Sequence, residues 1–119
     1  MAHPVSFFQI QGSDARSLIK FYQKTFGWHG TAGADGGLMI APEAGGIPGA
    51  IGPSSDGSAH VAVYIRVDDV ESIYAEVQRR GAPIDYTLYD APSGFREFGV
   101  QDPDGHDIGI GQPIERDSA

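Results

Sequence analysis

The chain has 119 residues, 40% of them hydrophobic, and sixteen acidic against eight basic residues set its formal net charge at −8. That length makes one domain with room for a core, and that charge disfavours general binding to nucleic acid or to an anionic membrane. With no cysteine there is no disulfide framework, no thiolate nucleophile and no Cys-ligated zinc; with no charged n-region, no apolar h-region and no apolar run of membrane-spanning length, a soluble cytoplasmic protein is expected.

In chain order, Val5 to Gln11 reads as a first strand. Ser13 or Asp14 can cap the helix that follows, in which Leu18, Tyr22 and Phe26 recur at i, i+4 and i+8 and give one apolar stripe to face a sheet. Gly27 ends that helix. From Trp28 to Pro53 three short antiparallel strands are expected, Trp28 to Ala32, Gly37 to Ala41 and Ile47 to Ile51, separated by glycine clusters that suit tight turns. Residues 54–58 are a polar linker. His60 to Val67 alternates strictly, with Val61, Val63, Ile65 and Val67 on one side and His60, Ala62, Tyr64 and Arg66 on the other, so the first set should pack against a helix. Asp68 with Glu71 forms a capping box for a second helix, whose stripe is Val70, Ile73 and Val77 and whose end is Gly81. Strands near Ile84 to Tyr89, Phe95 to Gln101 and Asp107 to Gly111 follow, the last two joined by Asp102-Pro103-Asp104-Gly105, a type I turn. A polar tail, disordered from Glu115 onward, closes the chain.

The two halves repeat each other 55 residues apart, Asp14 on Asp69, Ser17 on Ser72, Leu18 on Ile73 and Tyr22 on Val77, each copy closing on a glycine, Gly27 or Gly81. Module one is residues 4–53 and module two 59–113, with a tail over 114–119. A duplicated strand–helix unit makes a symmetric scaffold with a shared cavity, so function turns on what lines it.

The Asp-initiated helix with Phe21-Tyr22 and then Phe26-Gly27-Trp28, the second strand with Val67-Asp68-Asp69, and the late Asp102-Pro103-Asp104-Gly105-His106 turn together resemble the vicinal oxygen chelate superfamily. That group includes glyoxalase I, fosfomycin-resistance thioltransferases, extradiol dioxygenases and bleomycin-resistance proteins. The resemblance implies an α+β fold of two βαβββ modules whose eight strands form an open cup, assembled as a homodimer. In its enzymes a metal is held by a His on the first strand of each module and a carboxylate on the last. The matching positions here are Phe7 and Ala62 on the first strands and Gly109 on the final one, and Ile47-Pro48-Gly49-Ala50-Ile51 holds no ligand at all. The resemblance therefore points to a branch without metal or cofactor.

Candidate ligand-binding residues follow from the alternation: Phe7, Gln9 and Gln11 from the first strand, Tyr64 and Arg66 from its repeat mate. That aromatic, amide-rich set with a single cation suits stacking and hydrogen bonding to a planar or amphiphilic molecule. Phe7 can equally fill space between modules, Trp28 can be a packing residue or a ligand platform, and His60 is a solvated rim residue or a ligand contact. Glu97, beside Phe95 and Phe98, is either a carboxylate with a raised pKa able to act as a base, or an exposed residue paired with Arg96 or Arg66. No catalytic set is assigned. A drug-binding or resistance-type protein is expected, with a lactoylglutathione-lyase-type lyase or isomerase, or a dioxygenase-like enzyme, as the alternative, and a purely structural module if the cup is filled.

Overall fold

A computed structural model describes residues 2–114. Its elements run β1 (Val5–Gly12), α1 (Ala15–Phe26), β2 (Gly30–Ala32), β3 (Leu38–Ile40), β4 (Gly49–Pro53), β5 (His60–Arg66), α2 (Val70–Arg79), β6 (Ile84–Asp90), β7 (Phe95–Gln101) and β8 (Asp107–Pro113). This is an α+β chain in which the βαβββ order occurs twice. The expected disordered tail from Glu115 lies outside the described residues. No helix among them is long and apolar enough to cross a membrane.

The chain divides into two compact units, Ser6–Ala62 and, with Val5 and the residues before it, Val63 onward. In the first, the strands are ordered β2-β3-β4-β1. β1 runs parallel to β4 and the other neighbours are antiparallel, because the helical crossover brings the chain back in the direction it left. Its core is Leu38, Ile40 and Ile51, covered by Phe8 and Ile10 from β1, Leu18, Ile19 and Tyr22 from α1, and Trp28. The stripe read from the sequence is thus the side that packs on the core, half-buried at Leu18 and Tyr22, up to its last member: Phe26 is 60% exposed. Asp14 caps α1, accepting from the Ser17 N–H at 3.1 Å and the Ser17 hydroxyl at 2.8 Å. Gly27 closes it at φ 73°, a left-handed conformation that a side chain would strain.

The second unit repeats the plan in the order β5-β8-β7-β6, with β5 parallel to β8. Val67, Val70, Phe98, Val100 and Ile110 form its core, and Ile65, Ile73, Tyr74, Val77, Ile84, Leu88 and Ile108 pack against it. The N-cap of α2 is Asp69, which accepts from the Ser72 N–H at 3.1 Å, and not Asp68. The repeat alignment anticipates this pair as the counterpart of Asp14 and Ser17, whereas the capping-box spacing does not. Glu71, freed from any box, pairs with Arg96 at 2.5 Å, and Arg96 also holds Asp90 at 2.6 Å, tying the start of α2 to the β6–β7 hairpin. The Gln112 side chain accepts from the Val70 N–H at 2.9 Å, satisfying another open donor of the first turn.

One inside position is corrected. Val61 is 64% exposed, because it lies at the start of β5, ahead of the stretch from Val63 that is laddered to β8; Ile65 and Val67 on the same side do reach the core. Phe98, with no exposed surface, is the natural counterpoint. Phe98→Ala is expected to cost about 3–5 kcal/mol in urea unfolding, and Val61→Ala less than about 0.5 kcal/mol; similar losses at both positions would reverse inside and outside.

Candidate functional site

The sheet of the second unit has one face on α2, carrying Phe98, Val100, Ile108 and Ile110. Since successive residues of a strand point to opposite faces, Glu97, Gly99, Gly109 and Gly111 belong to the other. The strand register orders that second face into two rows. In one, Tyr64 of β5 stands opposite Gly109 of β8, Gly109 opposite Gly99 of β7, and Gly99 opposite Tyr86 of β6. In the next, the sequence is Arg66, Gly111, Glu97 and Tyr89.

The glycines are what let the rings lie down. A Cβ built on Gly109 would stand 2.1 Å from the Tyr64 ring, and one built on Gly99 2.3 Å from the Tyr86 ring. Each tyrosine therefore covers backbone of the neighbouring strand, a cross-strand pairing of aromatic and glycine. The two hydroxyls, on the same face of the sheet, are near enough to influence each other's ionisation. Burial holds the hydroxyl protons of Tyr64 and Tyr86 more tightly than usual, and the charge of Glu97 adds to this. The buried Tyr86 oxygen makes no hydrogen bond of full geometry.

Tyr86 and Tyr89 reach this face because β6 is irregular. Ile84 opposes Val100 and Tyr86 opposes Gly99, so two residues of β6 span one of β7; from Tyr86 to Tyr89, three span two. Each shift inserts one residue, and each exchanges the faces. Ile84 and Leu88 consequently pack on the core while Tyr86 and Tyr89 turn away from it. The rings of Tyr86 and Tyr89 meet nearly at right angles, centroids 5.8 Å apart.

Glu97 sits beside that corner. The Tyr89 hydroxyl donates to its Oε1 at 3.3 Å, and Arg96, the next-door cation, points to the opposite face and is committed to Asp90 and Glu71. Neither of the ion pairs expected for Glu97, with Arg96 or with Arg66, is made; a tyrosine takes their place. Burial raises the carboxyl above its usual range, partly offset by hydrogen bonding from Tyr89 and the proximity of Tyr86.

The remaining expected site residues fall elsewhere. Arg66 is exposed, its backbone N–H donating to the Pro4 carbonyl at 2.9 Å. In the first unit, Phe7 and Gln9 are half-buried and alternate with Phe8 and Ile10 of the core. Gln11 Nε2 donates to the Pro53 carbonyl at 3.5 Å. Trp28 stacks on Tyr22 at 5.0 Å and 9° and meets Phe8 at 5.4 Å, so it packs in the module's aromatic cluster. His60 is half-buried and helps hold the Asp56 carboxyl low, after the hydrogen bonds from Ser58 that dominate there. His106 is exposed and bound to Asp102. Within the second unit the structure brings together Tyr64 and Glu97 of the expected set, and adds Tyr86 and Tyr89. Those two were hidden by the bulges; the visible signal was the alternation of glycine with aliphatic residues in Gly99-Val100 and Ile108-Gly109-Ile110-Gly111, a face that needs large side chains from its neighbours.

The donor set does not fit the metal that the resemblance implies. Among the described residues no three His, Cys, Asp or Glu side chains gather as metal ligands would. Phe7 and Ala62 have no lone pair to offer, and a carboxylate at 109 could not share the space of the Tyr64 ring.

Residues 3–110 match the model of the Glyoxalase/Bleomycin resistance protein/Dioxygenase superfamily, and the chain belongs to that family. Its fold is shared with a glyoxalase/bleomycin resistance protein/dioxygenase superfamily member from Vibrio splendidus 12B01, at TM-score 0.73 and 17% identity over 93% of this chain and 99% of that one. Methylmalonyl-CoA epimerase from Mycobacterium tuberculosis is similar at TM-score 0.68 and 15% identity, covering 93% and 88% of the two chains. A Streptomyces coelicolor methylmalonyl-CoA epimerase variant in complex with 2-nitronate-propionyl-CoA is similar at TM-score 0.66 and 16% identity, covering 100% of both. At these identities the likeness is one of fold. No curated protein matches the chain.

The raised Glu97 carboxyl has a consequence for stability. Between the unfolded pKa and the higher folded one the native state binds more protons than the unfolded state, so stability is larger below this window and falls as pH rises through it. Asp14, Asp56, Asp90 and Asp102 are shifted downward and act in the opposite sense at lower pH. Urea unfolding of the wild type and Glu97→Gln from about pH 4 to about pH 7 is expected to show the variant gaining relative stability as pH rises; parallel curves would place Glu97 in water.

Proposed function

We propose that this chain is a metal-independent small-molecule-binding protein of the family, holding an aromatic or amphiphilic compound against the Tyr64–Tyr86–Tyr89–Glu97 face. The observation that carries this reading is the pair of tyrosine rings laid over Gly99 and Gly109, with a half-buried carboxylate beside them. Flat aromatic surface with few convergent polar groups is how proteins hold planar organic molecules. Arg66 belongs to the same proposal as a further ligand contact on this unit, and Phe7, Gln9, Gln11 and His60 are proposed as ligand contacts within the first unit.

A second reading is an enzyme of the lyase or isomerase type with Glu97 as general base. Its support is the raised, half-buried carboxyl, a base poised nearer neutrality than an exposed glutamate, together with the epimerases of the same fold.

Thermal shift with a panel of planar aromatic and amphiphilic compounds, run beside zinc, nickel, manganese and iron, tests the first reading. A compound at a hundredfold excess over its Kd should add about 2.7 kcal/mol of stability, while the metals add nothing that a chelator reverses. Tyr64→Ala should abolish the compound's effect, and Gly109→Ala, whose new methyl displaces the Tyr64 ring, should weaken it. A chelator-reversible metal shift, or Tyr64→Ala binding like wild type, would sink the reading. Deuterium from D2O entering the bound compound at carbon would favour the enzyme instead.

The proposal includes assembly as a homodimer, supported by the exposed aromatics of α1, Phe21 at 56% and Phe26 at 60%. Sedimentation equilibrium is expected to give a dimer that Phe21→Ser with Phe26→Ser weakens; a monomer at high micromolar concentration refutes it.

A further inference from the structure

The corner formed by Tyr86, Tyr89 and Glu97 has a more specific chemistry than its surroundings. Two aromatic rings meet nearly at right angles, 79°, with centroids 5.8 Å apart. The Glu97 carboxylate stands beside them on the neighbouring strand, bonded to the Tyr89 hydroxyl at 3.3 Å. Tyr89 is 47% exposed, so the corner opens to solvent on that side. Among the described residues Glu97 makes no ion pair within 4 Å; its neighbour Arg96 is spent on Glu71 and Asp90 across the sheet.

We propose that this corner is a recognition site for the alkylated ammonium head group of an organic cation, held between the faces of Tyr86 and Tyr89 and against the Glu97 carboxylate. The inference rests on the small-molecule-binding reading and names the ligand's charge. Aromatic faces present negative potential to a cation, and an alkylammonium gives up its weak hydration cheaply, so two rings and a carboxylate form a complementary cage. A half-buried carboxylate without a cationic partner is costly to the folded chain, and an incoming cation relieves that cost.

The charged and titratable groups facing Glu97 agree with this. From β6 they are Tyr86 and Tyr89, and from β5 Tyr64, all neutral hydroxyls whose ionisation the Glu97 charge opposes. β8 contributes Gly109 and Gly111, with nothing to titrate. Arg66 is exposed and lies in the same row beyond Gly111, its strand about 10 Å from that of Glu97, and the carboxylate is not among its ion-pair partners. The net charge of −8 favours the approach of cations.

The test is calorimetric titration of the full chain with choline and with 3,3-dimethyl-1-butanol, its neutral carbon isostere. Choline is expected to bind and the alcohol not to. Glu97→Gln, which keeps an acceptor for Tyr89, should weaken choline by about tenfold or more, and Tyr89→Leu should weaken it by a comparable factor. Circular dichroism verifies that both variants are folded, and Tyr89→Leu, at a half-exposed position, serves if Glu97→Gln is not. Equal binding of choline and the alcohol, or choline affinity untouched by both substitutions, overturns the ammonium assignment and leaves the aromatic-compound reading standing. Binding of the neutral aromatic panel with no response to choline does the same. Failure of choline and of the whole panel overturns both.

Discussion

The second module depends on one kind of contact, a tyrosine ring resting on a glycine of the adjacent strand. Tyr64 on Gly109 and Tyr86 on Gly99 take up the room that side chains at 99 and 109 would fill, with distances of 2.1–2.3 Å from a virtual Cβ to ring carbons. The arrangement turns a face that would otherwise be bare backbone into aromatic surface. It also fills with the Tyr64 ring the space at position 109 where the resemblance would place a carboxylate.

The opposite face makes this possible. Phe98, Val100, Ile108 and Ile110 bury against Ile73, Tyr74 and Val77 of α2, and that burial fixes the register, because a slip of one residue would put Glu97 in the core and Phe98 in water. Arg96 and Gln112 then bind the start of α2 to the hairpin and to β8. The core, the helix position and the direction of Glu97 are one constraint viewed from two faces of a sheet.

Glu97 shows how position changes a residue's chemistry without changing its neighbours in sequence. Flanked by Arg96 it reads as half of an ion pair. In the fold, strand alternation sends the two side chains to opposite faces, so Arg96 joins acids of α2 and β6 while Glu97 joins tyrosines. The carboxyl, half out of water and without the guanidinium, holds its proton more firmly.

Much of this was legible in the sequence. Ser13 or Asp14 and Asp68, read as the helix starts, fall on or within one residue of the caps at Asp14 and Asp69, the 3.6-residue stripes identified the packed sides of both helices, and the strand alternation put Tyr64 opposite Ile65 and Val67. These are local rules, set by backbone hydrogen bonding and side-chain period, and a linear text carries them. The fold alone decided that Tyr86 and Tyr89 share a face, since two β-bulges in β6 break the period-2 reading and nothing local announces where a strand will bulge. It also decided that Val61 stays exposed, outside the ladder that buries Ile65, and that Glu97 meets a tyrosine in place of an arginine. Each of these depends on which residue stands across the neighbouring strand, a pairing made between segments distant in the chain and therefore settled by packing.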